Sequence, residues 1–465
     1  MATSETLCAD LSQCAPKCLF VTLGCAKNEV DTDRMRALLC RAGFGEAQEV
    51  QDADVAIVNT CSFLTVATQE SIEATLELAE YASEGLRSLP IVMCGCVPSR
   101  YGDELMEELP EVSAFVPADL EDDIVSVVQE TLGLSEVSSG GAKVDEALRT
   151  VEGASAYVKI SDGCDRFCTF CAIPYIRGRY FSRPPEEIRL EVQALMEGGV
   201  REIVLIGQDT GIWGSDLAHA KGREIDLAWL LESLSEVVRP YGGWIRVLYL
   251  QTEGMTERLI RAMREIPEVL PYIDMPIQHC NERILRLMGR KGRAAELKAL
   301  FDRLRVEMPG MVLRTTGLVG FPTETEDEFQ ELLDFVDEVG FDYTSVFAYS
   351  LEEGTAAARL GGQIEEDVKV ERAQRLLDLV EAQGFAATAS HVGEVVSVIV
   401  DGVEETQDGV ELIGHAWFQA PDCDGAVHIE SGEATVGDVV SCRLTDAFCY
   451  ELVGEIVESG EGACS

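Results

Sequence analysis

Cys164, Cys168 and Cys171 stand in the run Gly163-Cys164-Asp165-Arg166-Phe167-Cys168-Thr169-Phe170-Cys171, a CxxxCxxC spacing that gathers three thiolates on one short loop. Thiolates are the usual ligands of iron-sulfur clusters, which normally take four. A set of three fills three irons and leaves the fourth open to another ligand. Zinc is the alternative chemistry, but structural zinc is closed by four ligands in paired knuckles, and no second CxxC or HxxxH lies nearby to complete one. Three unrelated core cysteines are the other alternative. Buried cysteines follow apolar periodicity, whereas these sit on a polar stretch beginning at Ser161.

A second set of three is spread more widely. The apolar, β-branched runs Cys18–Leu23, Asp54–Asn59 and Pro90–Cys94 alternate with helix-like stretches, the rhythm of an open parallel α/β sheet with crossover helices. A cysteine comes directly after each, in Gly24-Cys25, Thr60-Cys61 and Gly95-Cys96. Open α/β sheets bind ligands beyond the carboxyl ends of their strands, so three loops would deliver Cys25, Cys61 and Cys96 to one edge as a second cluster site. Taken singly, each is a small residue tolerated in a tight turn; three at equivalent topological positions favour a site. Cys94, inside its apolar run, reads as core, and Cys8, Cys14 and Cys18 are assigned no role.

From about Gly133 to Ala154 periodicity is lost, and the segment reads as a linker. Strand-like runs then recur at Tyr157–Ile160, Ile203–Gly207, Ile245–Leu250, Tyr272–Ile277, Val312–Val319 and Thr344–Tyr349, separated by helical stretches such as Pro185–Glu197 and Asp327–Val339. Six β/α units make an incomplete barrel whose working face is the carboxyl ends of its strands, and the CxxxCxxC loop follows the first of them. Gln208 and Asp209 end the second strand, where they could bond a cofactor or substrate or serve as ordinary turn and cap residues. His279 reads as packed rather than as a base. The run Gly320–Thr325 reads as turn and cap chemistry leading into a helix. After about Thr388 the pattern changes to short alternating strands broken by Asp-Gly and Ser-Gly turns, a small antiparallel barrel suited to recognition, with Cys423, Cys442 and Cys449 explained by strand packing. The fold class is therefore multidomain α/β, with domains expected at 17–133, 154–387 and 388–458 and a linker at 134–153.

With 465 residues the chain can build several cores without disulfides. No run of 18 apolar residues is present, and the first residues, with Glu5 and Asp10, do not read as a signal peptide, so a cytoplasmic protein is expected. Its 16 cysteines then read as free thiols and metal ligands. Against 37 basic residues stand 83 acidic ones, a net charge of −46, and from Thr388 onward Arg443 is the single base among 16 acids. A generally acidic proteome would give such a bias, and so would a basic protein partner. A polyanion repels nucleic acid.

With these parts in this order, the chain from about Lys17 to Val457 resembles the methylthiotransferase family of radical S-adenosylmethionine enzymes, which joins an N-terminal cluster domain, a radical S-adenosylmethionine domain and a C-terminal TRAM barrel. The aromatic Phe170 before the third cysteine is part of the resemblance. It implies an auxiliary four-iron four-sulfur cluster on Cys25, Cys61 and Cys96, and a second on Cys164, Cys168 and Cys171 whose open iron is chelated by S-adenosyl-L-methionine, with Phe170 and Gln208 beside the cofactor. Leu23-Gly24-Cys25-Ala26-Lys27-Asn28, Gly207-Gln208-Asp209-Thr210 and Ala420-Pro421-Asp422-Cys423-Asp424-Gly425 are similar to the ribosomal-protein branch rather than the tRNA-modifying one. That branch adds a methylthio group to the β-carbon of an aspartate in the twelfth protein of the small ribosomal subunit. Such a carbon carries an unactivated C–H that no side-chain base of ordinary pKa removes, so radical chemistry is required. The resemblance implies two molecules of S-adenosylmethionine, one as methyl donor and one as radical source; it leaves the sulfur and electron donors unnamed. It also implies a basic protein substrate drawn to the acidic barrel, with no membrane and no tRNA substrate. Ala26, Thr323 where the family commonly has Gly, and Gln251-Thr252 depart from the pattern. The competing readings are a tRNA adenosine methylthiotransferase, which calls for a basic barrel, a non-enzymatic iron-sulfur electron carrier, which calls for a fourth cysteine per cluster, and a non-catalytic ribosome-binding factor.

Overall fold

The computed structural model describes residues 15–84, 89–134, 149, 151, 153–217, 225–406 and 409–457. Most of the linker expected at 134–153 lies outside the described residues, as do Cys8 and Cys14. The chain forms two compact units. One comprises Met1–Thr150 with Asp162–Asp165 and Cys171–Tyr180; the other comprises Val151–Ser161, Arg166–Phe170 and Phe181–Ser465. No helix among the described residues is long and apolar enough to cross a membrane.

The first unit is built on a parallel sheet of β1 (Lys17–Thr22), β2 (Gly45–Glu46), β3 (Val55–Thr60), β4 (Ile91–Gly95) and β5 (Ala114–Pro117), in the order β2-β1-β3-β4-β5. Every residue of β3 and β4 is buried, which is why both read as unbroken apolar runs. Alternate residues serve opposite faces. Val55, Ile57 and Val92 join Met35 and Ile124 on one side, while Ala56, Val58, Ile91 and Met93 join Val97 and Leu105 on the other. Cys18 and Cys94 are fully buried in the first of these clusters. The edge strands β2 and β5 are too short to register as apolar runs.

The second unit holds the six further parallel strands β6 (Ser155–Lys159), β7 (Glu202–Ile206), β8 (Trp244–Val247), β9 (Tyr272–Asp274), β10 (Val312–Val319) and β11 (Tyr343–Ala348). They form two three-stranded sheets, β8-β7-β6 and β9-β10-β11, joined across β8 and β9 by Leu270 N–H donating to Ile245 O and Leu250 N–H to Asp274 O, both at 2.9 Å. The incomplete barrel thus has a loose seam between its third and fourth strands. β9 stops three residues earlier than expected, beside Pro276, which has no N–H to offer a ladder. The helix Glu366–Ala389 gave no amphipathic signal because its buried stripe, Lys369, Arg372, Leu376, Val380, Gly384 and Thr388, mixes charged and polar residues with apolar ones.

The C-terminal strands β12 (Val395–Thr406), β13 (Gly409–Ala416), β14 (Val427–Ser431), β15 (Val439–Phe448) and β16 (Glu451–Ile456) close into a barrel in the order β12-β13-β14-β16-β15. The barrel is not purely antiparallel: closure brings β16 beside β14 in parallel. Cys442 is buried there, but Cys423 is exposed on a loop rather than packed in a strand. This small barrel meets the larger one at the amino ends of its strands. His415 packs edge-on to Trp244, and Tyr450 lies against Tyr343.

Candidate iron-sulfur centres

β1, β3 and β4 are neighbours in the sheet, and the chain leaves all three at one edge through Gly24-Cys25, Cys61 and Cys96. Gly24 is left-handed at φ +105°, and a Cβ there would lie 2.5 Å from Cys61 Cβ, so glycine is what lets the first loop approach the second. Asn28, fully buried one turn into the helix Ala26–Arg41, touches all three loops. Its Nδ2 donates to Leu23 O at 2.9 Å and Thr60 O at 2.7 Å, while its Oδ1 lies 3.8 Å from Cys25 Sγ and 4.0 Å from Cys96 Sγ. The Cys25 and Cys96 sulfurs are therefore separated by no more than the sum of those last two distances. Cys25 is exposed, Cys61 half-buried and Cys96 buried. Burial pushes the Cys61 thiol up and the Cys96 thiol to about 11, with Arg177 pulling both the other way. The buried Arg177 guanidinium donates to Asp31 Oδ2 at 2.6 Å, to Asn28 Oδ1 at 2.9 Å and to Asp162 Oδ2 at 3.4 Å.

The CxxxCxxC loop begins just after β6. Gly163 is left-handed at φ +71°, and a Cβ there would sit 2.2 Å from the Arg179 carbonyl oxygen. Cys164 N–H donates to Gly178 O at 3.2 Å. Further along, Thr169 donates from its N–H to Met288 O at 2.9 Å and from its hydroxyl to Leu287 O at 2.8 Å. The three cysteines are half-buried. Phe170 packs on the cluster of Ile284, Met288, Phe321 and Tyr349, an apolar anchor for the loop. Gln208 is half-buried after β7. Beside it the buried Asp209 accepts Arg166 Nε at 2.5 Å, and Arg166 also donates to Glu253 Oε2 at 3.0 Å. Burial pushes the Asp209 carboxyl up while Arg166 draws it back. Arg290, pressed down by burial and held up by Cys168, donates to Pro276 O at 2.8 Å and to Gln251.

Sequence reasoning passed over Arg166, which lay in plain view inside the loop, and also Asn28, Arg177, Glu253 and Arg290, whose partners are distant in the chain. His279 is indeed packed: its Nδ1 accepts from Cys280 and Asn281 N–H, and its Nε2 lies 3.3 Å from Glu324 Oε1. Among the described residues no trio of His, Cys, Asp or Glu converges on a single ion. Two buried acceptors in the half-barrel, Ser161 Oγ and Asp209 Oδ1, make no hydrogen bond. Such orphans at strand ends suit a polar cofactor.

A parallel half-barrel that bears a CxxxCxxC loop after its first strand and is followed by a closed small barrel defines a radical S-adenosylmethionine protein. Residues 158–336 match the radical SAM superfamily model, 17–117 the uncharacterized protein family UPF0004 and 392–457 the TRAM domain. The chain is 39% identical to the ribosomal protein uS12 methylthiotransferase RimO of Trichlorobacter lovleyi, over 95% of this chain and 98% of that one. With the RimO of Geobacter sulfurreducens it shares 39% identity over 96% of this chain and 100% of the relative, and with that of a Synechococcus strain 40% over 96% and 91%. The chain belongs to the RimO family of radical S-adenosylmethionine methylthiotransferases. In fold it is similar to the radical S-adenosylmethionine methyltransferase TsrM from Kitasatospora setae, with a TM-score of 0.55 at 14% identity over 72% of this chain and 75% of that one. It is similar also to the cobalamin-dependent radical enzyme OxsB, with a TM-score of 0.51 at 12% identity over 82% and 58%.

Proposed function

We propose that this chain adds a methylthio group to the β-carbon of an aspartate in ribosomal protein uS12, with Cys25, Cys61 and Cys96 holding an auxiliary four-iron cluster and Cys164, Cys168 and Cys171 the cluster that binds S-adenosylmethionine. The observation that carries this reading is the pair of cysteine triads, each at strand carboxyl ends, in a chain of the RimO family. When bound, the groups supply hydrogen-atom abstraction at one centre and a sulfur for the new C–S bond at the other. The protein's own residues position and insulate. Asn28 holds the Cys25 and Cys61 loops at one point, and Arg166 ties the CxxxCxxC loop to Asp209 beside Gln208. Phe170 anchors the same loop from its apolar side and would lie beside the cofactor when that is bound.

Residues 17–133, 154–387 and 388–458 serve as cluster domain, radical domain and recognition barrel. With 16 acids to one base, the last attracts a basic ribosomal protein at long range and repels RNA. The reading is tested by reconstituting the protein anaerobically and supplying S-adenosylmethionine, a reductant and sulfide. Mass spectrometry then looks for a methylthio group on uS12 in one reaction and on tRNA in another. The expected gain is on an aspartate of uS12 and disappears in Cys61→Ala. A gain on tRNA alone would move the chain to the other branch.

A further inference from the structure

Arg177 lies six residues beyond Cys171, the last cysteine of the CxxxCxxC loop, yet its side chain bonds Asn28 and Asp31, on the helix that follows Cys25 of the other triad. Within the first unit, the short helix Ile173–Ile176 and the preceding Ala172 bring Ile176 and Ala172 into contact with Cys96. The guanidinium that follows is buried and hydrogen-bonded to Asn28 Oδ1, the same oxygen that lies 3.8 Å from Cys25 Sγ and 4.0 Å from Cys96 Sγ. A cluster carried on thiolates at this edge is a partly buried anion, and buried anions are stabilised by a fixed counter-charge and by donors aimed at sulfur. Asp31 and Asp162 hold the fork in place, at 2.6 and 3.4 Å.

We propose that Arg177 is a positioning residue of the auxiliary centre: it locks Asn28 and the Cys96 loop in place and sets the reduction potential of the cluster those cysteines carry. The inference rests on the reading of Cys25, Cys61 and Cys96 as cluster ligands. Because Arg177 follows Cys171 so closely, the same segment that carries the last ligand of one triad completes the surroundings of the other.

The test uses the full chain with Cys164, Cys168 and Cys171 all changed to Ala, so that only the auxiliary cluster is present. Iron content and the midpoint potential, followed by electron paramagnetic resonance, are read for this parent and for three variants built in it. Arg177→Met removes a positive charge and should disfavour the reduced cluster about tenfold, a fall of about 59 mV for a one-electron couple. Arg177→Lys keeps the charge and should recover most of that shift. Asp31→Asn removes a negative charge and should move the potential upward. Opposite signs for the Arg177 and Asp31 variants are what a merely structural role would not produce. A loaded Arg177→Met cluster at the parent's potential would overturn the proposal. Should Arg177→Met fail to load iron, the other two variants decide: an unmoved potential in Asp31→Asn, or an Arg177→Lys cluster far from the parent's potential, overturns the proposal, and a raised potential in Asp31→Asn with a near-parent one in Arg177→Lys upholds it. A parent that binds no iron would overturn the auxiliary-centre reading itself, and this inference with it.

Discussion

Thr323 shows what a single departure from a family pattern means physically. It occupies a position where glycine is common, and its backbone is left-handed at φ +71°, a conformation that a β-branched side chain adopts only under strain. Arg283 compensates by donating to Thr323 Oγ1 at 3.0 Å and to its carbonyl at 2.8 Å. Thr323→Gly should therefore stabilise the protein by about 1 kcal/mol despite the extra freedom it gives the unfolded chain, visible as a higher midpoint in thermal unfolding. A lower midpoint would show that the Arg283 contacts outweigh the strain. Gly163 is the opposite case. A methyl group there meets the Arg179 carbonyl, so Gly163→Ala should displace the Cys164 side of the loop and roughly halve the iron bound per chain under reconstitution, while Gly178→Ala, equally left-handed at φ +72° but with open space around it, should add backbone strain without that clash and cost less iron.

Among the elements, the union of the two barrels depends on buried charge. The loop Ala420–Gly425 inserts Asp424 among the strands of the larger barrel, where Tyr272 donates its hydroxyl to the carboxylate and Arg314 donates from Nε at 3.1 Å. Asp424→Ala would leave Tyr272 without its acceptor and Arg314 with only Asp274 and Ser345, a loss of roughly 3 kcal/mol in chemical denaturation. The resemblance to the ribosomal-protein branch in this loop thus has a structural role: it fastens the small barrel.

A few residues away, His415 lies between Glu202 Oε2 at 2.5 Å and Asp401 Oδ2 at 2.6 Å, and Glu202 accepts Arg246 Nε at 2.6 Å. Burial alone would favour the neutral ring, but Glu202 and Asp401 raise its pKa from 6.5 to about 9. The stabilisation is complete below about pH 6.5 and is lost as the pH rises through 9, amounting to roughly 3 kcal/mol. Burial also works against the Glu202 charge, yet Arg246 and His415 lower its pKa to about 2, so its contribution is complete above pH 4.5 and fades as the pH falls through 2. Thermal unfolding scanned from pH 6 to 10 should show the loss in the parent and flatten in His415→Gln. An equal slope in both would remove His415 as its cause.

At the scale of the whole molecule, the proposed function makes charge the determinant of encounter. A net charge of −46 with a nearly base-free terminal module predicts association with a basic ribosomal protein whose rate falls at least tenfold as salt rises from about 0.05 to about 0.5 M, because the Debye length shrinks severalfold over that range. Stopped-flow association measures this. Changing four of the exposed barrel acids to Lys should flatten the dependence, and a rate indifferent to both salt and these substitutions would show that contact shape, not field, selects the partner.

The chain's own residues determined a good deal. The CxxxCxxC spacing, the cysteines placed after three apolar runs and the switch from helical periods to alternation at Thr388 are local patterns, legible because thiolate spacing and side-chain periodicity are properties of neighbouring residues. Tertiary structure alone decided the rest. Asn28 meets the backbone before Cys61 across 32 residues, Arg177 meets Asp31 across 146, and Glu202 meets His415 across 213. Which buried charge finds which partner is fixed by the packing of sheets and barrels, and desolvation makes those pairings consequential without leaving a periodic trace in the sequence.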